Sequence, residues 1–238
     1  MSERRKGSGC LVAVVVLIAL LSGAVVIGDN LTRDYVEEEF ATGVQSELGM
    51  DVPPEVDIQG WPFLWQLWQR KFDHVQMNAA QATLSDQERS IRVDDLHVDL
   101  HGVNASQDYT ELVAERLNAT GRLSWDELSR LVDGGQVSAA GSDRIKIRYT
   151  LEVFGQTIDV EASGKPVLDA EAQKLKIEDV DLRVVGMDVP RAITEELMRL
   201  RLGEIDLALP MGLRVDALGV AERGIEVQVS GTEVPLRR

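Results

Sequence analysis

The chain has 238 residues, 44% of them apolar and 27% charged, which is an ordinary balance for a globular protein. Its net charge is -15; Glu3, Arg4, Arg5 and Lys6 give the first 28 residues +2, which leaves -17 on the remainder. A domain this acidic repels nucleic acid and offers no polybasic patch to anionic lipid, so we expect no nucleic-acid partner. The single cysteine, Cys10, excludes an intrachain disulfide and a cysteine-based metal site.

Residues 9 to 27 form an apolar run of 19 residues without a charge. As a helix rising about 1.5 Å per residue, the run is roughly 28 Å long, close to the hydrocarbon thickness of a bilayer at about 30 Å. Basic residues precede the run and acidic residues follow it, which predicts a cytoplasmic N-terminus. We therefore predict a cytoplasmic stub and a single-pass membrane anchor over residues 1–28, or a cleaved signal peptide, and an extracytoplasmic domain over 29–238.

The segment after the anchor has apolar residues at helical spacing and predicts an amphipathic helix that ends near Gly49. Its apolar positions are Leu31, Tyr35, Val36, Phe40, Val44 and Leu48. The two prolines of the following "DVPPEVDI" end the helix and open an extended segment.

The next segment, "GWPFLWQLWQRKF", holds three of the four tryptophans of the chain. With Pro62 at a first helical position, a helix gathers the tryptophans and Leu64 on one stripe. Tryptophan suits a boundary between water and an apolar phase, since its ring is apolar while its N–H stays polar. We expect Phe63 and Leu67 to be mainly structural and Trp61, Trp65 and Trp68 to lie at such a boundary. The alternative is a helix that plugs the core.

From Phe72 onward, alternating residues predict strands, including a hairpin over residues 144–164. A short helix is predicted after Ser124, where Glu127 stands at capping-box spacing, and a second one over 189–201. The predicted fold is α+β: an N-terminal transmembrane helix, then one domain with a long curved antiparallel sheet packed on a few helices.

The strand "SIRVDDLHVDL" carries the residues that most resemble metal ligands, Asp95, His97 and Asp99, with His101 beyond them. The alternation predicts Ile91, Val93, Asp95, His97 and Asp99 on one face and Leu96, Val98 and Leu100 on the other. Polar residues at every second position are what a solvated sheet face requires, so we expect no bound metal.

Catalytic and cofactor motifs are absent from the sequence. It contains no G-x-S-x-G turn, Walker loop, H-E-x-x-H helix or dinucleotide fingerprint. We therefore expect a protein that is not an enzyme and has no cofactor; a hydrolase whose site assembles only in three dimensions is the remaining enzymatic alternative.

The segment from Val56 to Val75 resembles the hallmark of the LmeA-like phospholipid-binding family of actinobacterial envelope proteins. The matching residues are Gly60, Trp61, Pro62, Phe63, Leu64, Gln66, Leu67, Phe72 and Val75. The N-terminal anchor, "LSWDEL" and the ending "LPMGLRVDALGVAERGIEVQVSG" are also similar to family members, so the resemblance covers nearly the whole chain. Arg70 replaces a glycine of the hallmark and must avoid or tolerate a left-handed backbone at about 1 kcal/mol. Trp65 replaces a smaller residue.

The resemblance implies a membrane-associated protein outside the cytoplasm that binds phospholipid and supports lipid or lipoglycan assembly in the cell envelope. The fold would resemble tubular lipid-binding domains, with acyl chains in an apolar groove between sheet and helix. An envelope-biosynthesis protein is a further expected partner. The competing hypothesis is an envelope scaffold that docks a protein through its aromatic run. The candidate lipid-contacting residues are Trp61, Phe63, Leu64, Trp65, Leu67 and Trp68, with Arg70 and Lys71 as cations for a phosphate.

Overall fold

A computed structural model describes residues 8–47, 50–85, 90–107, 109, 111–132, 135–153, 156–184, 205–207 and 209–237. Its helices are α1 (Ser8–Glu47), α2 (Phe63–Gln69) and α3 (Trp125–Leu131), with a short 3-10 turn at Pro210–Gly212. The first strands are β1 (Glu55–Gln59), β2 (Lys71–Ser85), β3 (Ser90–Ala105), β4 (Glu111–Ser124), β5 (Gly135–Ala139) and β6 (Ile145–Val153). They are followed by β7 (Gln156–Asp169), β8 (Lys174–Val184), β9 (Ile205–Asp206), β10 (Arg214–Ala221) and β11 (Gly224–Arg237).

α1 is one continuous helix of 40 residues, and it contains the apolar run at residues 9–27. The predicted anchor falls largely on residues 8–25, whose side chains lie outside the described part of the chain. Among the residues that the structure describes, no helix combines the length and the apolar character needed to cross a membrane.

The strands form two antiparallel sheets instead of the single long sheet that the alternation predicted. The six-stranded sheet has the order β1-β2-β3-β4-β11-β10, and the five-stranded sheet has the order β5-β6-β7-β8-β9. The predicted hairpin is confirmed, because β6 and β7 pair from Ile145 with Gly164 to Val153 with Gln156. The predicted helix over 189–201 lies outside the described residues.

A β-bulge in β3 makes the predicted face of Val93 wrong, whereas His97 and Asp99 share one face and Leu96, Val98 and Leu100 the other, as predicted. The pairing of β3 with β4 shifts register between Asp94 and His97, and Asp95 has a positive φ of 49°. The extra residue reverses the alternation, so Val93 lies on the side of Leu96: a Cβ built on Gly121 would contact both side chains. Val93 therefore belongs to the apolar face and not to the face of His97.

The main core lies where α1 and α2 cover one end of the six-stranded sheet. Ala41 of α1 and Phe63 of α2 are buried against strand residues such as Val75, Leu100 and Leu117. The predicted apolar stripe of α1 is confirmed for Val36, Phe40 and Val44, which pack against the buried clusters. It is wrong for Leu31 and Tyr35, which are 65% and 66% exposed, and Leu48 lies outside the described residues.

α3 begins at the predicted cap and uses only half of a capping box. The Ser124 Oγ accepts a hydrogen bond from the Glu127 N–H at 3.3 Å. The buried Glu127 carboxylate does not turn back to Ser124; it accepts the Arg92 N–H of β3 at 2.9 Å and pairs with Arg130. Glu127 thus fixes α3 to the six-stranded sheet.

Gln173, in the turn between β7 and β8, joins the two sheets. Its side-chain Nε2 donates to the Val215 carbonyl at 3.0 Å, and its Oε1 accepts the Val215 N–H at 2.7 Å. Val215 lies on β10, the edge strand of the six-stranded sheet. The side-chain amide of Gln173 therefore bonds to the backbone of β10 as a neighbouring strand would, and it covers part of that sheet edge.

Candidate functional site

The aromatic run divides into a buried side and an exposed side, and the helix is shorter than predicted. α2 begins at Phe63, and Pro62 is an extended residue before it, so Trp61 lies outside the helix. Phe63 is fully buried and Leu67 packs partly against the core, as expected for structural residues. The exposed side is a cluster that we call the aromatic surface: Trp61 (69% exposed), Leu64 (41%), Trp65 (55%) and Trp68 (72%).

The aromatic surface is held partly by its own contacts. The rings of Trp65 and Trp68 lie with their centroids 5.0 Å apart and their planes inclined by 34°. Such tilted pairs stabilise one another by about 0.5–1.5 kcal/mol. Large apolar side chains in this concentration on a protein surface indicate an interaction site.

Three charged residues of α1, spaced four apart, fix the aromatic run by its backbone. The fully buried carboxylate of Asp29 accepts the N–H groups of Phe63 at 2.9 Å and Leu64 at 2.7 Å. Asp29 thereby caps α2 in place of Pro62, which has no capping side chain. We did not predict these roles from the sequence, although charges at i, i+4 and i+8 mark one helical face.

The other two residues of this face are Arg33 and Glu37. The Arg33 Nη2 donates to the Gly60 carbonyl at 2.6 Å, and its guanidinium lies 5.7 Å from the Phe63 ring centroid. Glu37 accepts the Ile58 N–H at 2.7 Å. Burial raises the pKa of Glu37 although this hydrogen bond lowers it, so its contribution to stability is present at low pH and is lost as pH rises through the raised pKa.

The side chain of Gln66 explains why the hallmark has glutamine at this position and glycine at position 60. Its buried side chain donates to the Gln59 carbonyl at 3.2 Å and accepts the Asp73 N–H at 2.9 Å, so it ties α2 to both flanking strands. Gly60 has φ 110°, and a Cβ there would stand 2.4 Å from the Gln66 Nε2. Only glycine fits at this position.

The two predicted cations differ in their surroundings. The Lys71 ammonium lies 3.0 Å from the Glu115 carboxylate, and the hydrogen bond and charge of Glu115 raise the pKa of Lys71. A phosphate would have to compete with that carboxylate. Arg70 is half-buried, and within the described residues its guanidinium has no hydrogen-bond or ion-pair partner.

Arg70 tolerates the left-handed conformation that the hallmark glycine would adopt, with φ 57° and ψ 32° at the C-cap of α2. Arg70→Gly is therefore expected to raise the free energy of unfolding by about 1 kcal/mol, because glycine lacks the steric penalty of a Cβ there. Urea denaturation measures the change. The matched variant Gln69→Gly, in the last helical position, should instead lower stability by up to about 1 kcal/mol. Destabilisation by Arg70→Gly would contradict this account.

The five-stranded sheet carries a continuous apolar face that differs from the main core. Directly paired residues of antiparallel strands share a face, and the register places Ile147, Ala162 and Leu182 side by side across β6, β7 and β8. We call this the apolar strand face; its described members include Val137, Ile145, Ile147, Tyr149, Val160, Ala162, Leu168, Leu175, Ile177, Val180 and Leu182. Val137 and Ile145 are buried and the others are half-buried, and none belongs to the main buried apolar clusters formed by the described residues.

The opposite face of the same sheet is charged. Lys146, Ser163 and Asp181 lie side by side across the same three strands, and Arg148 pairs with Glu161. Because the opposite face is mainly polar, with Val167 as an exception, the half-buried aliphatic residues of the apolar strand face are not a simple consequence of surface composition.

The expected groove between helix and sheet is filled by packed side chains where α1 and α2 cover the six-stranded sheet. Two open depressions, of about 350 and 370 Å³, lie elsewhere among the described residues and have linings that mix polar and apolar atoms. The first lies beside Glu55, Asn78 and His97, and the second beside Gln136 and Arg148. Neither is lined by a residue of the aromatic run.

The histidines lie in a hydrogen-bonded network on the polar face of the six-stranded sheet. Asp99 accepts from His74 at 3.0 Å and from His97 at 2.8 Å, and the rings of His74 and His101 stack 4.4 Å apart. Burial opposes the charge of Asp99, but hydrogen bonds from Gln76 and His74 and the charge of His97 lower its pKa on balance. Over the described ranges, no group of three His, Cys, Asp or Glu side chains could hold a metal ion. The expectation of no bound metal stays a prediction.

Comparison with known proteins identifies the family. The model of a family described as LmeA-like phospholipid-binding matches residues 27–230. No curated protein and no solved structure matches the chain. Since the matched range includes the aromatic run, both sheets and most of the sequence, the chain belongs to the LmeA-like phospholipid-binding family.

Proposed function

We propose that the protein binds a phospholipid by laying acyl chains against the apolar strand face, outside the cytoplasm, without catalysing a reaction. The observation that carries this proposal is the row of half-buried aliphatic residues on β6, β7 and β8, which the main core leaves out. Membership of a phospholipid-binding family supports the same ligand class. We therefore place the acyl chains on the five-stranded sheet and not in a groove beside the aromatic run.

Burial of the acyl chain supplies the affinity. Each methylene removed from water contributes about 0.8 kcal/mol. The acidic surface opposes an anionic headgroup, but exposed charges are screened beyond about 8–10 Å at physiological salt. Of the two cations predicted for a phosphate, Arg70 is the one without an acidic partner among the described residues, since Lys71 is paired with Glu115. It lies at the end of α2 and not on the five-stranded sheet, so we do not assign it to the acyl site.

The protein acts at the membrane, held by residues 9–27 as a single-pass anchor with the domain outside. The uncharged run of 19 residues and the basic residues before it support this topology. A lipid-binding domain tethered in this way serves the assembly of envelope lipids or lipoglycans, with an envelope-biosynthesis protein as a partner.

Ala162→Glu tests the lipid site. Ala162 lies between Ile147 and Leu182 on the apolar strand face, where a carboxylate would have to be desolvated against the acyl chain. We expect at least about a tenfold loss of bound phospholipid, which corresponds to only 1.4 kcal/mol. Native mass spectrometry of the full chain, released from a mild detergent, measures the lipid-bound fraction.

Ser163→Glu is the matched control, because it adds the same charge one residue further on and on the polar face, beside Lys146. It should retain lipid. Equal lipid occupancy in both variants, or a lipid-free mass for the wild-type chain, would contradict the proposal; a lipid-free mass would favour the protein-docking scaffold.

A further inference from the structure

Exposed apolar side chains lie on two sides of α1 at and just beyond the end of its apolar run. The aromatic surface lies on one side, held by Asp29 and Arg33. Ile27 and Leu31 are exposed at 62% and 65%. Each is two residues from Asp29, which at about 100° per residue places both on the opposite side of the helix. We call the aromatic surface together with Ile27 and Leu31 the apolar belt. Apolar side chains on both sides of one helix indicate a surrounding apolar phase more than a single docked partner.

The level of this belt follows from the continuity of α1. Asp29 stands two residues beyond the apolar run and Leu31 four residues beyond it, about 3 and 6 Å along the axis. The headgroup layer on each side of a bilayer is about 5–8 Å thick. If residues 9–27 span the hydrocarbon, Leu31 and the start of α2, which is bonded to Asp29, lie within that layer.

α2 cannot leave this level without breaking its hydrogen bonds to Asp29 and the bond of Arg33 to Gly60. Both oxygens of the Asp29 carboxylate bind backbone N–H groups of α2, and Arg33 holds the Gly60 carbonyl before it. Because Asp29 is fully buried, loss of these hydrogen bonds would leave its carboxylate buried without a partner, which is energetically costly. The aromatic surface is therefore rigidly coupled to the helix that enters the bilayer.

We infer that the aromatic surface is embedded in the headgroup layer of the same membrane that holds the anchor, and fixes the orientation of the domain on it. Tryptophan favours this layer because its ring enters the acyl boundary while its N–H remains with water and headgroups. The occupant of the surface is the bilayer itself. This inference rests on the proposed anchor, and it assigns the aromatic run to orientation and not to the acyl site on the five-stranded sheet.

The test uses tryptophan fluorescence of the full chain in vesicles of phosphatidylcholine, with or without bromine near the top of one acyl chain. Bromine quenches only rings that reach the acyl boundary. We expect strong quenching of the wild type. The triple variant Trp61→Phe, Trp65→Phe, Trp68→Phe should lose it, because its remaining Trp125 is half-buried in the domain and bonded to the Glu222 carbonyl.

Two further variants separate this inference from the proposals on which it rests. Leu21→Trp in the triple variant places a reporter within the apolar run, and quenching above the level of the triple variant itself shows that the anchor is inserted. Ala162→Glu removes lipid from the strand face, so quenching that persists in it comes from the bilayer. If Leu21→Trp is quenched while the wild-type aromatic run is not, the inference is overturned and the anchor stands. If neither is quenched, both fail.

A contact between two copies of the chain predicts a different result. The aromatic run would then be shielded from the aqueous quencher iodide but would not be quenched by brominated lipid. That outcome would also overturn the inference.

Discussion

Phe63→Ala is expected to lower the free energy of unfolding by about 3–5 kcal/mol, the usual cost of truncating a buried aromatic residue. The Phe63 side chain is fully buried, its ring centroid lies 6.2 Å from that of Phe72, and Arg33 lies over it. A domain of ordinary stability, about 5–15 kcal/mol, would lose a large share of it. Urea denaturation of the full chain in detergent measures the loss.

Trp68→Ala is the control from the same helix. Trp68 is 72% exposed, so its truncation removes little buried area and only its contact with Trp65. We expect a loss of no more than about 1 kcal/mol. If both variants lose stability equally, the aromatic run is a core plug, as the alternative interpretation of the sequence holds.

Asp29→Ala is expected to lower the free energy of unfolding by about 3–5 kcal/mol. It removes both charge-assisted hydrogen bonds that cap α2, and it removes the carboxylate that lies 3.8 Å from the Arg33 guanidinium. Asp29→Asn should cost less, since one acceptor oxygen remains for one of the two N–H groups. Urea denaturation gives the loss, and near-ultraviolet circular dichroism reports whether the Trp65–Trp68 pair loosens.

Asp34→Ala is the matched control, an acidic residue of the same helix whose side chain is exposed. It should change stability by no more than about 0.5 kcal/mol. A loss below about 1 kcal/mol for Asp29→Ala would show that α2 holds its position without the cap.

The hallmark of the aromatic run could be recognised from the sequence because its signals are local. The glycine, the proline and the spacing of large apolar residues predicted a short helix. The resemblance to the family left open whether Arg70 avoids or tolerates a left-handed backbone, and the structure shows that it tolerates one. The exact start of the helix did not follow. The cap that begins it at Phe63 comes from Asp29, which is 34 residues away in the chain.

The strands could also be predicted from local alternation of residues, but the faces of their side chains and the division of the strands into two sheets could not. Alternation predicted the β6–β7 hairpin correctly. It placed Val93 on the wrong face, because a bulge at Asp94–Asp95 depends on how β3 pairs with β4. It also gave no sign that the strands form two sheets, joined at one edge by the side chain of Gln173.

The family, the strand-rich α+β class and the contrast between a structural Phe63 and exposed tryptophans could be predicted from the amino-acid pattern, since hydrophobic pattern and turn residues act over a few positions. Which apolar residues the core leaves half-buried followed only from the folded arrangement of helices and strands, and our proposal of a lipid site around Ala162 rests on that arrangement. Burial depends on which elements cover a face, and that is set by contacts between residues far apart in the chain.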